Sequence, residues 1–335
     1  MKIENKKILV TGGAGFIGSH LVKSLVSQNA NVTVIDNLFR GKKDNLKNEA
    51  GEYVIDMANN FFAIDLTDYD KCLEMIRDYE FVIHLADVVG GISFVFDKEF
   101  FTYRQNIIIN SNTLSACITN KIPNYIYVGT ACSYPAHLQN NYDVVYLEED
   151  QTYPANPESA YGWSKLMGEY EAALAQKNKM INTGLLRLHN VYGPGSAYDA
   201  YTGQVIPSLI RKAINYPKEE FIVWGSGEQY RDFIYIDDVI AAIDKVILTG
   251  MNKGLIQVGS GHGTSIRQIA EKIKTISGKE FCIQFDNSAP EGDKGRAAIL
   301  TKAKEMLDWE PKYSIDKGLQ ETYAWMQKTV NGSHS

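Results

Sequence analysis

Three glycines near the start of the chain constrain its fold more than any other feature. They occupy positions 12, 15 and 18 in the sequence Thr11-Gly-Gly-Ala-Gly-Phe-Ile-Gly18, between an apolar run at residues 6–11 and a predicted helix at 16–28. At this spacing the first glycine permits a tight turn, the second lets backbone approach a pyrophosphate, and the third lets a helix pack closely on a strand. The pattern predicts a strand–turn–helix unit whose helix N-terminus binds an anion, with an ordinary glycine-rich turn as the alternative.

Apolar runs alternate with helical stretches through the first half of the chain. Strands are predicted at residues 6–11, 31–36, 61–64, 80–85 and 124–129, and helices at about 16–28, 68–78, 98–120 and 158–178. This alternation is typical of an α/β fold in which helices cover both faces of a parallel sheet. We therefore expect a Rossmann-type, doubly wound parallel sheet with a smaller C-terminal substrate-binding lobe.

Charge and cysteine content narrow the class of protein. The formal net charge of −6 disfavours nucleic acid as a partner, because binding to a phosphate backbone requires a positive field. The four cysteines contain no C-x-x-C pair, which disfavours a metal site and a disulfide framework and predicts a reducing compartment. The sequence has no apolar run near the ~20 residues that span a bilayer, and residues 1–10 do not resemble a signal peptide. We expect a cytoplasmic protein that binds neither a metal ion nor a membrane.

An acidic residue at the end of the second predicted strand indicates which dinucleotide binds. Asp36 is placed to accept hydrogen bonds from an adenosine ribose, and its carboxylate repels a 2′-phosphate, which favours NAD over NADP. Arg40 is a contrary signal, because a nearby arginine can accommodate that phosphate. Asp65, after the third predicted strand, either contacts the adenine or caps a helix. The predicted NAD-binding residues are Gly12, Gly15, Phe16, Ile17, Gly18, Asp36, Asn37, Arg40, Asp65, Leu66, Leu85, Ala86, Tyr161 and Lys165.

Tyr161 and Lys165 lie four residues apart on one predicted helix, so their side chains share one face. A hydride leaves a carbinol carbon only if a base removes the hydroxyl proton, and an unperturbed tyrosine pKa near ~10 is too high for that role. A neighbouring lysine cation, helped by a nicotinamide cation, favours the phenolate. Such a pair also occurs by accident on helices, but together with the glycine turn it predicts a dehydrogenase-type site.

These motifs together resemble the extended short-chain dehydrogenase/reductases that modify nucleotide sugars. The resemblance covers nearly the whole chain and rests on residues 11–18, Asp36, His84-Leu-Ala86, Tyr161 with Lys165, Arg187-Leu-His-Asn-Val-Tyr-Gly-Pro194 and the Gly225–Asp238 segment. It implies a tightly held NAD that oxidises the sugar, commonly at C4, with the hydride often returned later. It also implies that Thr130, in the motif Gly129-Thr-Ala-Cys-Ser-Tyr-Pro135, hydrogen-bonds the reacting hydroxyl; the alternative is a strand-end hydroxyl that bonds only to backbone.

The residues after Thr130 bear on the reaction. Sugar 4,6-dehydratases of the family carry an Asp-Glu pair there, whereas this chain has Ala131 and Cys132, so dehydration is disfavoured. The Ala-Cys-x-Tyr-Pro pattern resembles the family's GDP-mannose 3,5-epimerases, which use the cysteine as an acid–base group beside a C4 ketone. The lysine that those enzymes place before a proline is missing from residues 203–207. Epimerisation at C3 and C5, epimerisation at C4 alone, and net oxidation to a released 4-keto sugar are all compatible with the sequence, and Cys132 is alternatively a small packed residue.

Two arginines are candidates for binding the substrate's pyrophosphate. Arg231 and Arg296 each offer it bidentate donors, with surface ion pairs to Asp232 or Asp293 as the alternative. Asn190 resembles the family's asparagine that contacts the sugar diphosphate. The similarity to the GDP-mannose enzymes favours a GDP-sugar, with UDP, dTDP and CDP as alternatives.

Further segments resemble parts of the same enzymes. Gly90 and Gly91 belong to a loop similar to their substrate loop, and residues 290–296 resemble their nucleotide-contacting segment. The predicted helices at 98–120 and 158–178 resemble those of the family's four-helix dimer interface. We therefore expect a homodimer, with packing on the sheet as the alternative use of these helices.

The regular alternation of strands and helices ends after about residue 188, which indicates that the chain forms two domains. We assign residues 1–188, with a return segment at about 233–258, to an NAD-binding Rossmann domain. Residues 189–232 and 259–330 are expected to form the substrate-binding lobe.

Overall fold

The computed structural model describes residues 2–289 and 292–332, which form one large parallel sheet flanked by helices and a smaller group of sheets and helices. The strands in chain order are β1 (Lys7–Thr11), β2 (Asn31–Ile35), β3 (Phe61–Phe62), β4 (Phe81–His84), β5 (Asn124–Thr130), β6 (Val145–Leu147), β7 (Asn182–Leu188), β8 (Asn190–Tyr192), β9 (Ile222–Trp224), β10 (Tyr230–Tyr235), β11 (Leu255–Val258), β12 (Gly263–Ser265), β13 (Gln284–Asp286) and β14 (Arg296–Ala298). The helices are α1 (Phe16–Ser27), α2 (Tyr69–Met75), α3 (Ile92–Asp97), α4 (Glu99–Thr119), α5 (Ala160–Lys177), α6 (Val205–Asn215), α7 (Ile236–Lys245), α8 (Ile266–Ser277), α9 (Thr301–Leu307) and α10 (Ile315–Gly332).

The large sheet reverses its strand order at β1. Within the described residues it has seven strands in the order β11-β7-β5-β4-β1-β2-β3, and every neighbouring pair is parallel. The chain builds outward through β2 and β3, then returns to β4 and builds in the other direction. In doubly wound folds ligands bind in the crevice at the carboxyl ends of the strands beside such a reversal. The predicted α/β fold with a doubly wound parallel sheet is confirmed.

Alternate residues of β1 face two separate cores. Ile8 and Val10 pack in one core with Leu21 of α1, whereas Leu9 packs in the other with Leu114 of α4. Strands covered on both faces are apolar at nearly every position, which explains the continuous runs in the sequence.

One strand of the large sheet was not predicted. β7 lies between β5 and β11, yet its sequence contains Arg187, which interrupts the apolar run. The guanidinium is fully buried and forms a 2.6 Å ion pair with Glu169 of α5, so the strand can hold a charge in the interior.

In the part of the chain that the structure describes, the smaller part of the molecule contains three short sheets. They consist of β8, β10 and β12, of β9 and β13, and of β6 and β14. Helices α6, α8 and α10 pack against one another beside them. Within the described residues, helices are either too short or too polar to cross a membrane.

Candidate active site

The glycine turn lies at the reversal of the strand order. Gly12 has a φ of +70°, and a Cβ atom at Gly18 would lie 2.2 Å from the Gly12 carbonyl oxygen, so α1 packs directly on the turn. Gly15 is the N-cap of α1, where no side chain of the described residues accepts a capping hydrogen bond. The backbone N–H groups of the first turn, which begins with Phe16 and Ile17, are therefore available to an anion. This cradle fits the pyrophosphate of a dinucleotide.

The carboxyl end of β4 closes the other side of the cradle. The N–H groups of Leu85 and Ala86 each donate to Thr11 Oγ1 at 3.3 Å. A Cβ atom at Gly12 would lie 2.8 Å from the Ala86 nitrogen, so only glycine fits between the two strand ends. The predicted residues of both strands therefore meet in one place.

Asp36 is held beside the cradle at the end of β2. Its Oδ2 accepts from the Ala14 N–H at 2.9 Å and its Oδ1 from the Leu38 N–H at 2.8 Å. Burial raises the pKa of Asp36, against the lowering effect of these backbone donors. Arg40 donates to the carbonyl of Val89, in the loop that follows β4. Its guanidinium is thus engaged with that loop.

The remaining predicted cofactor residues lie in turns near these strands. Asn37 accepts a hydrogen bond from the N–H two residues later at 3.0 Å. Asp65 is exposed and accepts from the Thr67 N–H at 2.9 Å, while the cap of α2 is Asp68. Leu66 is buried. The helix-cap alternative for Asp65 is therefore wrong, because Asp68 occupies that position.

The predicted catalytic pair lies in the first two turns of α5. Tyr161 Oη donates to Asp87 Oδ2 at 3.2 Å, and Lys165 Nζ lies 3.4 Å from the same oxygen. The lysine side chain is 3% exposed and its ammonium lies 4.9 Å from the centre of the Tyr127 ring. One carboxylate, from the loop after β4, therefore joins both members of the pair.

The charges around Tyr161 differ from the expectation that a lysine neighbour favours the phenolate. Burial, and next the Asp87 carboxylate, raise the pKa of Tyr161 well above its ordinary value. Asp87 also opposes the Lys165 cation, so the protein alone favours the neutral phenol. Lys165 acts in the opposite direction, and the positive charge of NAD would add to that of the lysine when the cofactor is bound.

The turn after β5 contacts the start of α5 directly. A Cβ atom at Gly162 would lie 2.3 Å from the Cys132 carbonyl oxygen, and Ser133 Oγ donates to the Gly162 carbonyl at 3.3 Å. Thr130 ends β5, and its hydroxyl accepts from the Cys132 N–H at 3.3 Å. The structure thus places Cys132 close to Tyr161 and Thr130 next to Cys132, and the Thr130 hydroxyl, which accepts from backbone, can still donate its own proton.

Arg296 lies beside Cys132 in a buried cluster. Its side chain is 3% exposed, and Nη1 donates to Asp293 at 2.5 Å and to Gln139 at 2.6 Å. Nη2 donates to Cys132 Sγ at 3.6 Å, and Nε is buried without a partner among the described residues. Burial is the largest single effect and lowers the pKa of Arg296, but Asp293, Cys132 and Glu158 together outweigh it and raise the pKa. The alternative ion pair with Asp293 is present, although it is buried and not on the surface; residues 290 and 291 of this segment lie outside the described residues.

Arg231 is half-buried and lies close enough to Arg296 for the two charges to interact. Burial, and next the Arg296 cation, lower the pKa of Arg231 to about 10. The alternative partner Asp232 accepts instead from the N–H groups of Ser260, at 2.5 Å, and Ala298, at 2.9 Å. Two arginines whose charges repel each other in a buried site are suited to binding an anion.

The residues predicted to contact the sugar are an asparagine with an unused hydrogen-bond acceptor and two closely packed glycines. Asn190 Oδ1 is buried and has no hydrogen-bond partner among the described residues. A Cβ atom at Gly90 would lie 2.6 Å from the Phe94 side chain, and one at Gly91 would lie 2.8 Å from the Gly203 carbonyl oxygen. The loop after β4 therefore packs closely on the loop that precedes α6.

Two acidic residues of the site were not predicted as functional. Asp87 contacts both catalytic side chains, and Glu158 precedes Tyr161 by three residues at the exposed mouth of the site. Although Glu158 is exposed overall, partial burial of its carboxyl, and next the neighbouring Asp293, raise its pKa to about 7. The signal in the sequence was their adjacency to the His84-Leu-Ala86 and Tyr161–Lys165 motifs. Across residues 2–289 and 292–332, no group of three or more His, Cys, Asp or Glu side chains is arranged to hold a metal ion.

Comparison with known proteins agrees with this geometry. Residues 8–259 match the NAD dependent epimerase/dehydratase family. GDP-mannose 3,5-epimerase 1 of Oryza sativa subsp. indica is 30% identical over 328 residues, which cover 98% of this chain and 83% of that protein. The crystal structure of UDP-glucose 4-epimerase with UDP-glucose from Thermotoga maritima superposes with a TM-score of 0.85 at 29% identity, covering 97% of this chain and 99% of that one. UDP-glucuronic acid 4-epimerase from Bacillus cereus, solved with UDP-glucuronic acid and NAD, gives a TM-score of 0.81 at 29% identity and covers 96% of this chain and 99% of that one.

The chain therefore belongs to the NAD-dependent epimerase/dehydratase family, whose members have the short-chain dehydrogenase/reductase fold. It is an NAD-dependent enzyme of the nucleotide-sugar epimerase/dehydratase type. The predicted family and the predicted cofactor are both confirmed.

Proposed function

We propose that the protein is a nucleotide-sugar epimerase that acts through transient oxidation at C4 of an NDP-hexose. The observation that carries this proposal is that Asp87, directly after the strand end that closes the glycine cradle, contacts both Tyr161 and Lys165 of α5, while Thr130 ends the neighbouring strand β5. Thr130 would hydrogen-bond the C4 hydroxyl. Tyr161 would remove the hydroxyl proton, and Lys165 would stabilise the phenolate.

The reaction balances with these residues and one cofactor. The hydride acceptor for C4 would be NAD, held by the glycine cradle when it is bound. Tyr161 carries the hydroxyl proton while the sugar is a ketone and returns it when the hydride returns. If the keto sugar turns over before that return, the configuration at C4 is inverted and the protein is restored to its starting state.

Inversion at C4 needs only Thr130, Tyr161, Lys165 and NAD, whereas inversion at C3 or C5 needs a base on one face of the carbon and an acid on the other. Lys212, the nearest lysine after the loop at 203–207, donates to the Ile222 carbonyl at 2.5 Å. His189 is buried against Gln257 at 3.1 Å, and burial lowers its pKa. Both contacts favour C4 epimerisation.

Epimerisation at C3 and C5 is the second candidate, and one contact favours it. Arg296 holds the sulfur of Cys132 in the site, next to the catalytic tyrosine. A positioned thiol can exchange protons at carbons beside a C4 ketone.

Net oxidation by a 4-dehydrogenase would use the same Thr130, Tyr161 and Lys165. Dehydration is disfavoured, because Ala131 and Cys132 stand where the dehydratases have an acid pair.

A GDP-sugar is the favoured substrate. The support is the Ala131-Cys132 motif together with the 30% identity to a GDP-mannose 3,5-epimerase over 98% of the chain. Arg231, Arg296 and Asn190 would bind the diphosphate and the sugar, and Gly90 and Gly91 would let the substrate approach the loop after β4.

The test is incubation with GDP-hexoses in deuterated water, followed by NMR of the sugar. C4 epimerisation predicts an inverted C4 without solvent deuterium on carbon. Deuterium at C3 or C5 would indicate the Cys132 route, and its loss in Cys132→Ala would confirm that assignment. Accumulation of reduced nicotinamide with a released 4-keto sugar would contradict an epimerase and favour the 4-dehydrogenase.

We propose further that the protein is a homodimer in the cytoplasm. Large apolar side chains are exposed along α4 and α5, including Phe100 at 77%, Tyr170 at 49% and Leu174 at 38% exposure. Such a surface is typical of an interface.

All four cysteines, each within the described residues, are free thiols, which suits a reducing compartment. Residues 1–188 with 233–258 would bind NAD, and residues 189–232 with 259–330 would bind the sugar.

A further inference from the structure

Asp87 is the acidic partner shared by the two catalytic side chains. One oxygen, Oδ2, lies 3.2 Å from Tyr161 Oη and 3.4 Å from Lys165 Nζ. The Asp87 side chain is 16% exposed and that of Lys165 is 3% exposed. Screening by water is weak at such burial, so these charges act strongly on any group that binds beside them.

The loop that carries Asp87 is fixed to α5, the helix of Tyr161 and Lys165, through a residue of α4. Asn106 of α4 is fully buried and accepts from the Val88 N–H at 2.6 Å, while its amide donates to the Val88 carbonyl at 3.0 Å. The same amide donates to Ser164 Oγ at 3.3 Å, and Ser164 donates to the Tyr161 carbonyl at 2.8 Å. The backbone next to Asp87 is therefore tied to the turn of α5 between the catalytic residues, and these ties do not depend on a bound ligand.

The charges of Asp87 and Lys165 affect whether the oxidised or the reduced cofactor binds more tightly. The nicotinamide must reach the carbon whose hydroxyl Tyr161 deprotonates, so it lies near this group of residues when bound. The ring is a cation when oxidised and neutral when reduced. The Lys165 ammonium alone would disfavour the positively charged, oxidised nicotinamide. A carboxylate beside the lysine favours that oxidised form.

We infer that Asp87 is a positioning residue whose carboxylate neutralises Lys165 and biases the bound cofactor toward its oxidised form. This inference rests on the proposed function and explains why the enzyme would release an epimer. A cofactor that is held better when oxidised returns its hydride to the keto sugar, and the sugar is released as an epimer and not as a ketone. Asp87 thereby separates epimerase from dehydrogenase behaviour on an otherwise shared set of residues.

The test needs no sugar, so it stands apart from the identity of the substrate. The full-length chain is equilibrated with a known mixture of NAD⁺ and NADH, and the ratio of the two forms bound is measured after separation. In Asp87→Asn the preference for the oxidised form should fall about tenfold, since one charge is removed at short range. Asp87→Glu should retain most of the preference. Asp97→Asn, which removes an equal charge from an exposed position at the end of α3, should match the wild type.

An unchanged ratio in Asp87→Asn would overturn the inference, because it would mean that the carboxylate leaves the pair when the cofactor binds. Should the asparagine variant not fold by circular dichroism, Asp87→Ser removes the same charge with a smaller side chain and is judged by the same two outcomes. A shifted ratio in a protein that epimerises no nucleotide sugar would leave this inference standing and contradict the proposed function alone.

Discussion

Glu158 lies at the mouth of the site, beside Asp293 and close enough to Arg231 and Arg296 for their charges to act on it. Its pKa is raised to about 7, so it is neutral below that pH and negative above it. If the two arginines bind the substrate's diphosphate, the extra negative charge repels it. The KM for the nucleotide sugar should therefore rise as the pH increases through about 7.

Glu158→Gln should remove this dependence and keep the low KM at high pH. The measurement is KM against pH for the wild type and the variant. Glu305→Gln, on the exposed face of α9, is the matched control and should follow the wild type. A wild-type pH profile in Glu158→Gln would mean that another group produces it.

Single residues differ in how far the sequence predicts their roles. Tyr161 and Lys165 could be identified because both belong to one helix, and the helical repeat alone places them together. Asp87 could not, since its partners come from a different element and the contact depends on how β4 and α5 pack. The same holds for the Arg296–Cys132 contact, which joins residues 164 positions apart.

At the scale of the element, the β1–turn–α1 unit has no space for a side chain at Gly18. A Cβ atom there would lie 2.2 Å from the Gly12 carbonyl oxygen, so Gly18→Ala must push α1 away from the strand. Overpacking of this kind typically costs about 1–3 kcal/mol, and here it also displaces the N–H groups that face the anion. We expect NAD affinity to fall at least about tenfold, as measured by calorimetry.

Gly278→Ala is the control for this prediction. Gly278 ends α8 with a φ of +63°, and a Cβ atom there would meet no other atom within 4 Å. Alanine should lower the free energy of unfolding by about 1 kcal/mol, because it disfavours positive φ, and leave NAD affinity unchanged. Equal NAD affinity in Gly18→Ala and the wild type would contradict the assignment of the cradle.

Strands with a continuous apolar run were predicted, whereas β7, which holds a buried charge, was not. β1, β2, β4 and β5 are apolar because both faces are covered, and the sequence shows this directly. β7 was missed because Arg187 needs Glu169 of α5 as its partner, which only the tertiary fold supplies. The limits of α5 differ from the prediction because Ser159, whose hydroxyl accepts from the Gly162 N–H at 3.1 Å, caps the helix.

At the scale of the whole molecule, the exposed faces of α4 and α5 predict a dimer. Leu174 is 38% exposed on α5, and a glutamate there would place a charge in an apolar interface. We expect the wild type to have the mass of a dimer by light scattering and Leu174→Glu that of a monomer. Met306→Glu, 40% exposed on α9, should remain a dimer. A wild-type monomer, or a dimer in Leu174→Glu, would show that this face is not the interface.

Tyr161 is proposed to remove the hydroxyl proton while the hydride leaves C4 for bound NAD, and a single turnover tests this most directly. The NAD-loaded protein is mixed in turn with GDP-, UDP-, dTDP- and CDP-hexoses while the near-ultraviolet absorbance of reduced nicotinamide is followed. With the correct sugar the wild type and Tyr53→Phe should show a rise and decay that accompany epimer formation. Tyr161→Phe should bind NAD and slow the rise by at least about a hundredfold. An epimer that forms without reduced nicotinamide, or at an undiminished rate in Tyr161→Phe, would contradict the account.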